Sequence, residues 1–232
     1  MLHLQDLTKR YGGLTAVNGV TATFADRSIT AVIGPNGAGK TTLFAMIAGA
    51  VAPSSGRIVF QGKDLTGRRA DQVCRAGIGR TFQVVRPFWT LTVRDHLRAA
   101  VAFGGRAGGR EVDAILRLTG LTAQADALAN TLTLAGCRRL EIARALATGA
   151  SLLLLDETMA GLTPEETRDA IDLVKRVRDE GRAVILIEHV LPAVTGLAER
   201  VIVLDGGAVI ADGPPREVLG SAVVKKAYLG ES

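Results

Sequence analysis

Cysteine and histidine are scarce in this chain, and it has no long apolar run. The two cysteines, Cys74 and Cys137, stand far apart. They have neither the close pairing of a zinc site nor the second pair of a disulfide framework, so they read as reduced thiols. His3, His96 and His189 are the only histidines, too scattered for a metal cluster, which argues against a zinc enzyme. The longest uninterrupted apolar stretch runs from Leu43 to Ala48, far below the ~20 residues that span a bilayer as a helix. The opening residues MLHLQDLTKRY carry Asp6 and no apolar core, so the expectation is a soluble chain with no export signal. Lysine is sparse too, 6 against 22 arginines. The net charge of +5 is spread without a basic run longer than two. That suits anionic ligands in general and is too diffuse to argue for nucleic acid. Repeats and low-complexity tracts are missing as well.

What is present is an ordinary globular composition: 232 residues, 47% hydrophobic and 22% charged, enough for a real core. Short alternating bursts at Leu2 to Leu7, Val20 to Phe24, Ile29 to Ile33 and Arg57 to Phe60 read as strands, separated by turn formers such as Tyr11-Gly12-Gly13 and Ser54-Ser55-Gly56. After Gly39 the spacing becomes helical, with Leu43, Ile47 and Ala50 on one face, fraying around Gly49. The stretch from Pro87 to Thr148 reads as a helical insert, with helices near Val93 to Phe103, Glu111 to Leu118 and Arg138 to Ala147 and a glycine-rich loop from Gly104 to Gly109.

Two runs, Leu152 to Leu155 and Ala183 to Ile187, are continuously apolar, as in strands covered on both faces of a parallel sheet. Between them Thr163 can cap a helix, Pro164 fits its first position and Glu166 completes a capping box. Strand, helix and strand in that order make a crossover, hence an α/β fold.

Residues Gly34-Pro35-Asn36-Gly37-Ala38-Gly39-Lys40-Thr41-Thr42 follow an apolar strand and open a helix. They match the G-x-x-x-x-G-K-[ST] pattern of a P-loop, which this composition would produce by chance roughly 0.009 times. Glycines let the backbone wrap close to phosphate oxygens, and the helix start adds its positive end. Lys40 would neutralise the outer phosphates and the Thr41 hydroxyl would hold magnesium. Such a loop needs a carboxylate on a neighbouring strand, and Leu152-Leu-Leu-Leu155-Asp156-Glu157 offers one. Asp156 would reach magnesium through its water shell, and Glu157, one step on, would orient and deprotonate an attacking water.

With these motifs in order, the chain resembles the nucleotide-binding subunit of an ABC transporter along nearly its whole length. The resemblance implies a P-loop NTPase fold with a RecA-like core, an N-terminal antiparallel β subdomain and a helical subdomain. Residues 1–86 and 149–232 would form the core of this single unit and 87–148 the helical part. It implies an adenine-stacking role for Tyr11 and, in Arg80-Thr81-Phe82-Gln83, a glutamine loop in which Gln83 touches nucleotide and magnesium. It implies a D-loop at Ala160 to Pro164 and a switch histidine at His189, catalytic beside Glu157. Arg80 to Gln83, Arg86-Pro87-Phe88, Leu91 to Val93, Arg138 to Arg144, Met159 to Leu162 and Ala227 to Glu231 are most similar to the ATPases of branched-chain amino acid uptake. Related amide, urea and lipopolysaccharide-export ATPases share parts of the pattern.

The implied ligands are ATP and Mg2+. The implied partners are transmembrane permease subunits, a second ATPase subunit, identical or different, and indirectly a solute-binding protein, with no nucleic acid. The implied location is the cytoplasmic face of the inner membrane. Arg86, Pro87, Phe88 and Trp89 are the expected membrane-subunit contact, an Arg beside aromatics being suited to docking a short helix; a core position is the alternative for Phe88 and Trp89. A DNA-repair or chromosome ATPase would need a coiled-coil or DNA-binding insert, a translation-associated protein a second cassette, and a small-molecule kinase would leave Gln83, the D-loop and His189 unexplained. One departure stands out. Where the family reads Leu-Ser-x-Gly-Gln, this chain reads Leu132-Thr133-Leu134-Ala135-Gly136, which raises a weakly hydrolytic, regulatory cassette as a further reading.

Overall fold

The computed structural model describes residues 1–81, 87–104 and 112–229. In chain order the first elements are β1 (Leu2–Tyr11), β2 (Leu14–Phe24), β3 (Ile29–Ile33), α1 (Lys40–Ile47), β4 (Ser55–Phe60), β5 (Lys63–Asp64), α2 (Ala70–Ala76) and β6 (Ile78–Arg80). Next come α3 (Val93–Gly104), α4 (Val112–Thr119) and α5 (Leu134–Ala147), with two short 3-10 turns between the last two. The remainder is β7 (Leu152–Asp156), α6 (Pro164–Asp179), β8 (Ala183–Ile187), α7 (Leu191–Leu197), β9 (Arg200–Asp205), β10 (Ala208–Gly213), α8 (Pro215–Gly220) and α9 (Ala222–Leu229).

Two sheets are stacked. The first is antiparallel, in the order β2-β1-β4-β5; β1 and β2 form a hairpin in which Tyr11 pairs with Leu14 around Gly12-Gly13. The second runs β10-β9-β3-β8-β7-β6, parallel except for the β9–β10 hairpin. Its central strands are buried at every position, and the alternation of their side chains shows why their apolar runs are unbroken. Ile29, Ala31, Ile33, Leu153 and Leu155 pack with the helices α3 to α6, whereas Val32, Leu152 and Leu154 pack with α1 and the antiparallel sheet. Each strand thus supplies two cores from its two faces.

Several boundaries differ from the sequence reading. Helix α1 stops at Ile47, with Ala48 as its last capping residue, so Ala50 lies beyond it. Ser55 and Gly56 belong to β4 rather than to a turn. Helix α5 begins at Leu134, ahead of the expected Arg138, because the Thr133 hydroxyl accepts the Gly136 N–H at 3.2 Å and caps it. Gly104 closes α3, and the rest of the expected glycine loop lies outside the described residues. The capping box of α6 forms as read: Thr163 accepts from the Glu166 N–H, and Glu166 accepts from the Thr163 N–H. Among the described residues no helix is long and apolar enough to cross a membrane.

Candidate functional site

The chemistry-bearing residues gather where β3, β6, β7 and β8 end, the edge at which open α/β sheets bind ligands. The P-loop leaves β3 through Gly34. A Cβ there would stand 2.1 Å from the Leu204 carbonyl oxygen, and one at Gly39 2.3 Å from that of Ala16; both residues have positive φ. Any side chain at either position would collide with backbone. Gly39 caps α1 in the left-handed conformation and makes no side-chain hydrogen bond to its first N–H groups; a helix start uncapped in this way is suited to receive an anion.

Lys40 is 6% exposed. Its Nζ donates to the carbonyls of Gly34 at 2.7 Å and Pro35 at 2.9 Å, so the cation lies within its own loop. Burial pushes the ammonium below its usual range, opposed by the charges of Glu157 and Asp156. Thr41 is exposed, Thr42 half-buried, and Asn36 and Gly37 face solvent at the loop tip, while Ala38 is buried beneath it.

Asp156, 1% exposed, ends β7. Its Oδ2 pairs with the Arg80 guanidinium at 3.0 Å, and its backbone N–H donates to the Thr81 hydroxyl at 3.2 Å. Burial raises the Asp156 carboxyl above its ordinary value, and Arg80 works against that rise. Among the described residues its Oδ1 is buried without a hydrogen-bond partner, an acceptor left over for a cation. With the exposed Thr41 hydroxyl, that donor set is all oxygen, which fits magnesium.

Glu157 follows with φ 49°, a left-handed backbone unusual for a residue with a side chain. Its N–H donates to the Ile187 carbonyl at 2.9 Å, and its Oε1 lies 2.8 Å from His189 Nε2. The two expected catalytic side chains are therefore joined. Tyr11 ends β1, 48% exposed, with Lys9 Nζ 5.0 Å from its ring centre; its ring is available to solvent. Gln83 and Arg86 lie outside the described residues. In the D-loop, Gly161 lies so close to α5 that a Cβ would meet Leu134 Cδ2 at 3.3 Å. This brings the loop against the start of the altered signature helix.

Phe88 and Trp89 are 61% and 51% exposed, so neither is a core residue. Phe88 edges a groove of about 380 Å³ between α3, α5 and β6, lined also by Ile78, Ala99, Phe103, Ala145 and Arg80. Its rim is set by His96, 2% exposed, whose Nε2 accepts the Phe88 N–H at 2.9 Å while Nδ1 donates to the Thr92 carbonyl at 2.8 Å. A ring that accepts on one nitrogen is neutral, and burial accordingly lowers its pKa. Arg80 lines this groove and also pairs with Asp156, a physical link between groove and phosphate site.

Sequence reasoning gave no role to Arg80, Thr81 or Glu188. Tyr228 was another omission: on α9, its hydroxyl meets the backbone of Gly34 and is raised by burial.

Residues 17–160 match the family model described as ABC transporter, and residues 208–232 that of the branched-chain amino acid ATP-binding cassette transporters. The chain belongs to the ATP-binding cassettes of the ABC transporter family and is an ATPase of that class. Within it, the whole chain is 37% identical to the high-affinity branched-chain amino acid transport ATP-binding protein LivG of Salmonella typhimurium, covering 98% of that protein. It is 38% identical to BraF of Pseudomonas aeruginosa, of the same description, again over all of this chain and 98% of the relative. Among solved structures, an ATP-binding cassette of an ABC transporter in its ADP conformation superimposes with a TM-score of 0.91 at 29% identity, over 100% of this chain and 99% of the other. A nucleotide-free cassette gives 0.91 at 28% over the same shares.

Proposed function

We propose that this chain powers import of branched-chain or closely related amino acids, as one of two ATP-binding subunits docked beneath transmembrane permease subunits at the cytoplasmic face of the inner membrane. The observation that carries the hydrolytic part is the 2.8 Å contact between Glu157 Oε1 and His189 Nε2 beside the Lys40 loop. The cargo rests on full-length similarity to LivG and BraF.

In this reading the α1 N-terminus and the loop amides of Gly34 to Lys40 receive the phosphates, and Lys40 exchanges its two carbonyls for the outer phosphate oxygens. Tyr11, half-exposed at the end of β1, stacks on adenine. Thr41, Asp156 and Gln83 hold magnesium, which supplies charge neutralisation on the phosphates when bound. Glu157 accepts the proton of the attacking water, and His189 fixes the Glu157 carboxylate and faces the terminal phosphate. Residues 1–86 and 149–232 act as the catalytic core and 87–148 as the helical subdomain. The groove at Phe88 receives a short permease helix, and Arg80 carries its occupancy to Asp156. A solute-binding protein delivers cargo to the permease.

In this reading the two cassettes meet head to tail, so that each signature loop would complete the partner's site. A weakly hydrolytic cassette is the second reading, favoured by Ala135 and Gly136 in that loop. Against it, the Thr133 hydroxyl still caps α5 and leaves its N-terminal end formed. The test is reconstitution of the complex, isolated from membranes through this chain, into liposomes with ATP on the cassette side and leucine with the solute-binding protein on the opposite side. ATP-dependent leucine accumulation is expected; ATP turnover without uptake of any branched-chain amino acid would refute the cargo.

A further inference from the structure

Glu188, directly after β8 and next to His189, is a carboxylate where packing alone would favour an apolar side chain. It is 2% exposed. Its Oε1 accepts the Met159 N–H at 3.0 Å and the Thr158 hydroxyl at 3.4 Å, while among the described residues its buried Oε2 has no partner. Burial raises the carboxyl to about 7, against those two hydrogen bonds. A buried acid with one oxygen unsatisfied destabilises a fold unless its other contacts matter.

Those contacts fall on the two residues that follow Glu157. Two further bonds join the same two segments: the Glu157 N–H donates to the Ile187 carbonyl, and the Glu157 carboxylate meets His189. Residues 157–159 are thus laced to 187–189 on both sides of Glu157, whose backbone is left-handed at φ 49°. Such a conformation persists in a residue with a side chain only when its surroundings hold it. Ile187 holds it from the N-terminal side and Glu188 from the C-terminal side.

We infer that Glu188 is a positioning residue for hydrolysis: its carboxyl anchors the Thr158–Met159 backbone, keeping Glu157 in the left-handed conformation that aims its carboxylate at His189 and the attacking water. The inference rests on Glu157 as the general base. Because Met159 leads into the D-loop, the same anchor fixes where that loop starts.

The test uses the membrane complex with Glu188→Met, which keeps length and loses the acceptor, Glu188→Gln, which keeps a carbonyl acceptor, and Glu188→Asp, which keeps charge and withdraws it. Glu188→Met should lower kcat on the order of 10-fold with KM for ATP and ATP-induced thermal stabilisation nearly unchanged, the pattern of a displaced base. Glu188→Gln should restore most of kcat. If the Met variant does not fold, Glu188→Asp should show the same split. In single turnover, Glu188→Met added to Glu157→Gln should lower the residual rate no further. Wild-type kcat in both Met and Asp variants, equal losses in Met and Gln, or an undiminished effect in the Glu157→Gln background would overturn the inference. Wild-type turnover by Glu157→Gln alone would instead overturn the base on which it rests, and the inference with it.

Discussion

Replacing Lys40 with Met should separate the fold from the ligand site. In the nucleotide-free protein Lys40 holds two backbone carbonyls and occupies a buried place that lowers its pKa. A lysine whose folded pKa lies below its unfolded value binds its proton more weakly when folded. Its charge therefore opposes folding at every pH below that unfolded value. Loss of two hydrogen bonds, about 1 kcal/mol each, is offset by relief of the buried charge, and methionine fills the stem's volume. The melting temperature without nucleotide should therefore change little.

With ATP at 100 times its wild-type Kd, binding stabilises the folded state by about 2.7 kcal/mol, or ~5–11 °C in a domain of this size. Removing the cation leaves a bound phosphate charge uncompensated, a loss of about 3–5 kcal/mol. That raises Kd more than ~100-fold, so the same ATP concentration should shift the variant by roughly 1 °C or less. Differential scanning fluorimetry with and without Mg·ATP reads both quantities. A wild-type shift in Lys40→Met would refute the phosphate role of Lys40. A collapse of the nucleotide-free protein would show that its two carbonyl bonds hold the loop.

Trp89→Ala should weaken copurification with the membrane subunits while leaving ATP affinity intact, since the side chain is exposed and follows Phe88, which lines the groove; unchanged recovery of those subunits would remove it from the interface. Restoring the signature with Thr133→Ser, Ala135→Gly and Gly136→Gln should speed hydrolysis at a different partner cassette's ATP, and the gain should vanish when that partner's P-loop lysine is removed. An unchanged rate in the assembled complex would mean that the native loop, with its Thr133 cap, is already competent and the two sites equal.

The parts legible in the sequence were those whose signal is local. The P-loop announces itself because close backbone approach at Gly34 and Gly39 admits only glycine, and α6 because its cap, Pro and Glu lie within four consecutive residues. Strands β9 and β10 carried a comparable signal, the run Val201 to Leu204 before the Gly206-Gly207 turn, and it went unread. Helix α2 had no such signal: only Val73 of its seven residues is buried, so no apolar stripe marks it. The site residues that escaped notice depend on distant pairing. Arg80 meets Asp156 because β6 lies beside β7, and Glu188 is buried by residues 158 and 159 across the β7–β8 pair. At Trp89 the sequence favoured a surface position and left core open as the alternative; its exposure is decided only by the placement of the surrounding helices.

The reading as a whole depends most directly on Glu157, whose carboxylate meets His189 at 2.8 Å beside the phosphate loop. The decisive measurement is ATP turnover and leucine uptake by the reconstituted membrane complex carrying Glu157→Gln, alongside bound nucleotide. The amide keeps size and hydrogen bonding but cannot take the water's proton. ATP should remain bound near wild-type occupancy while turnover falls at least ~100-fold, the scale of a lost general base, and uptake ceases with it. Wild-type turnover in that variant would contradict the assignment.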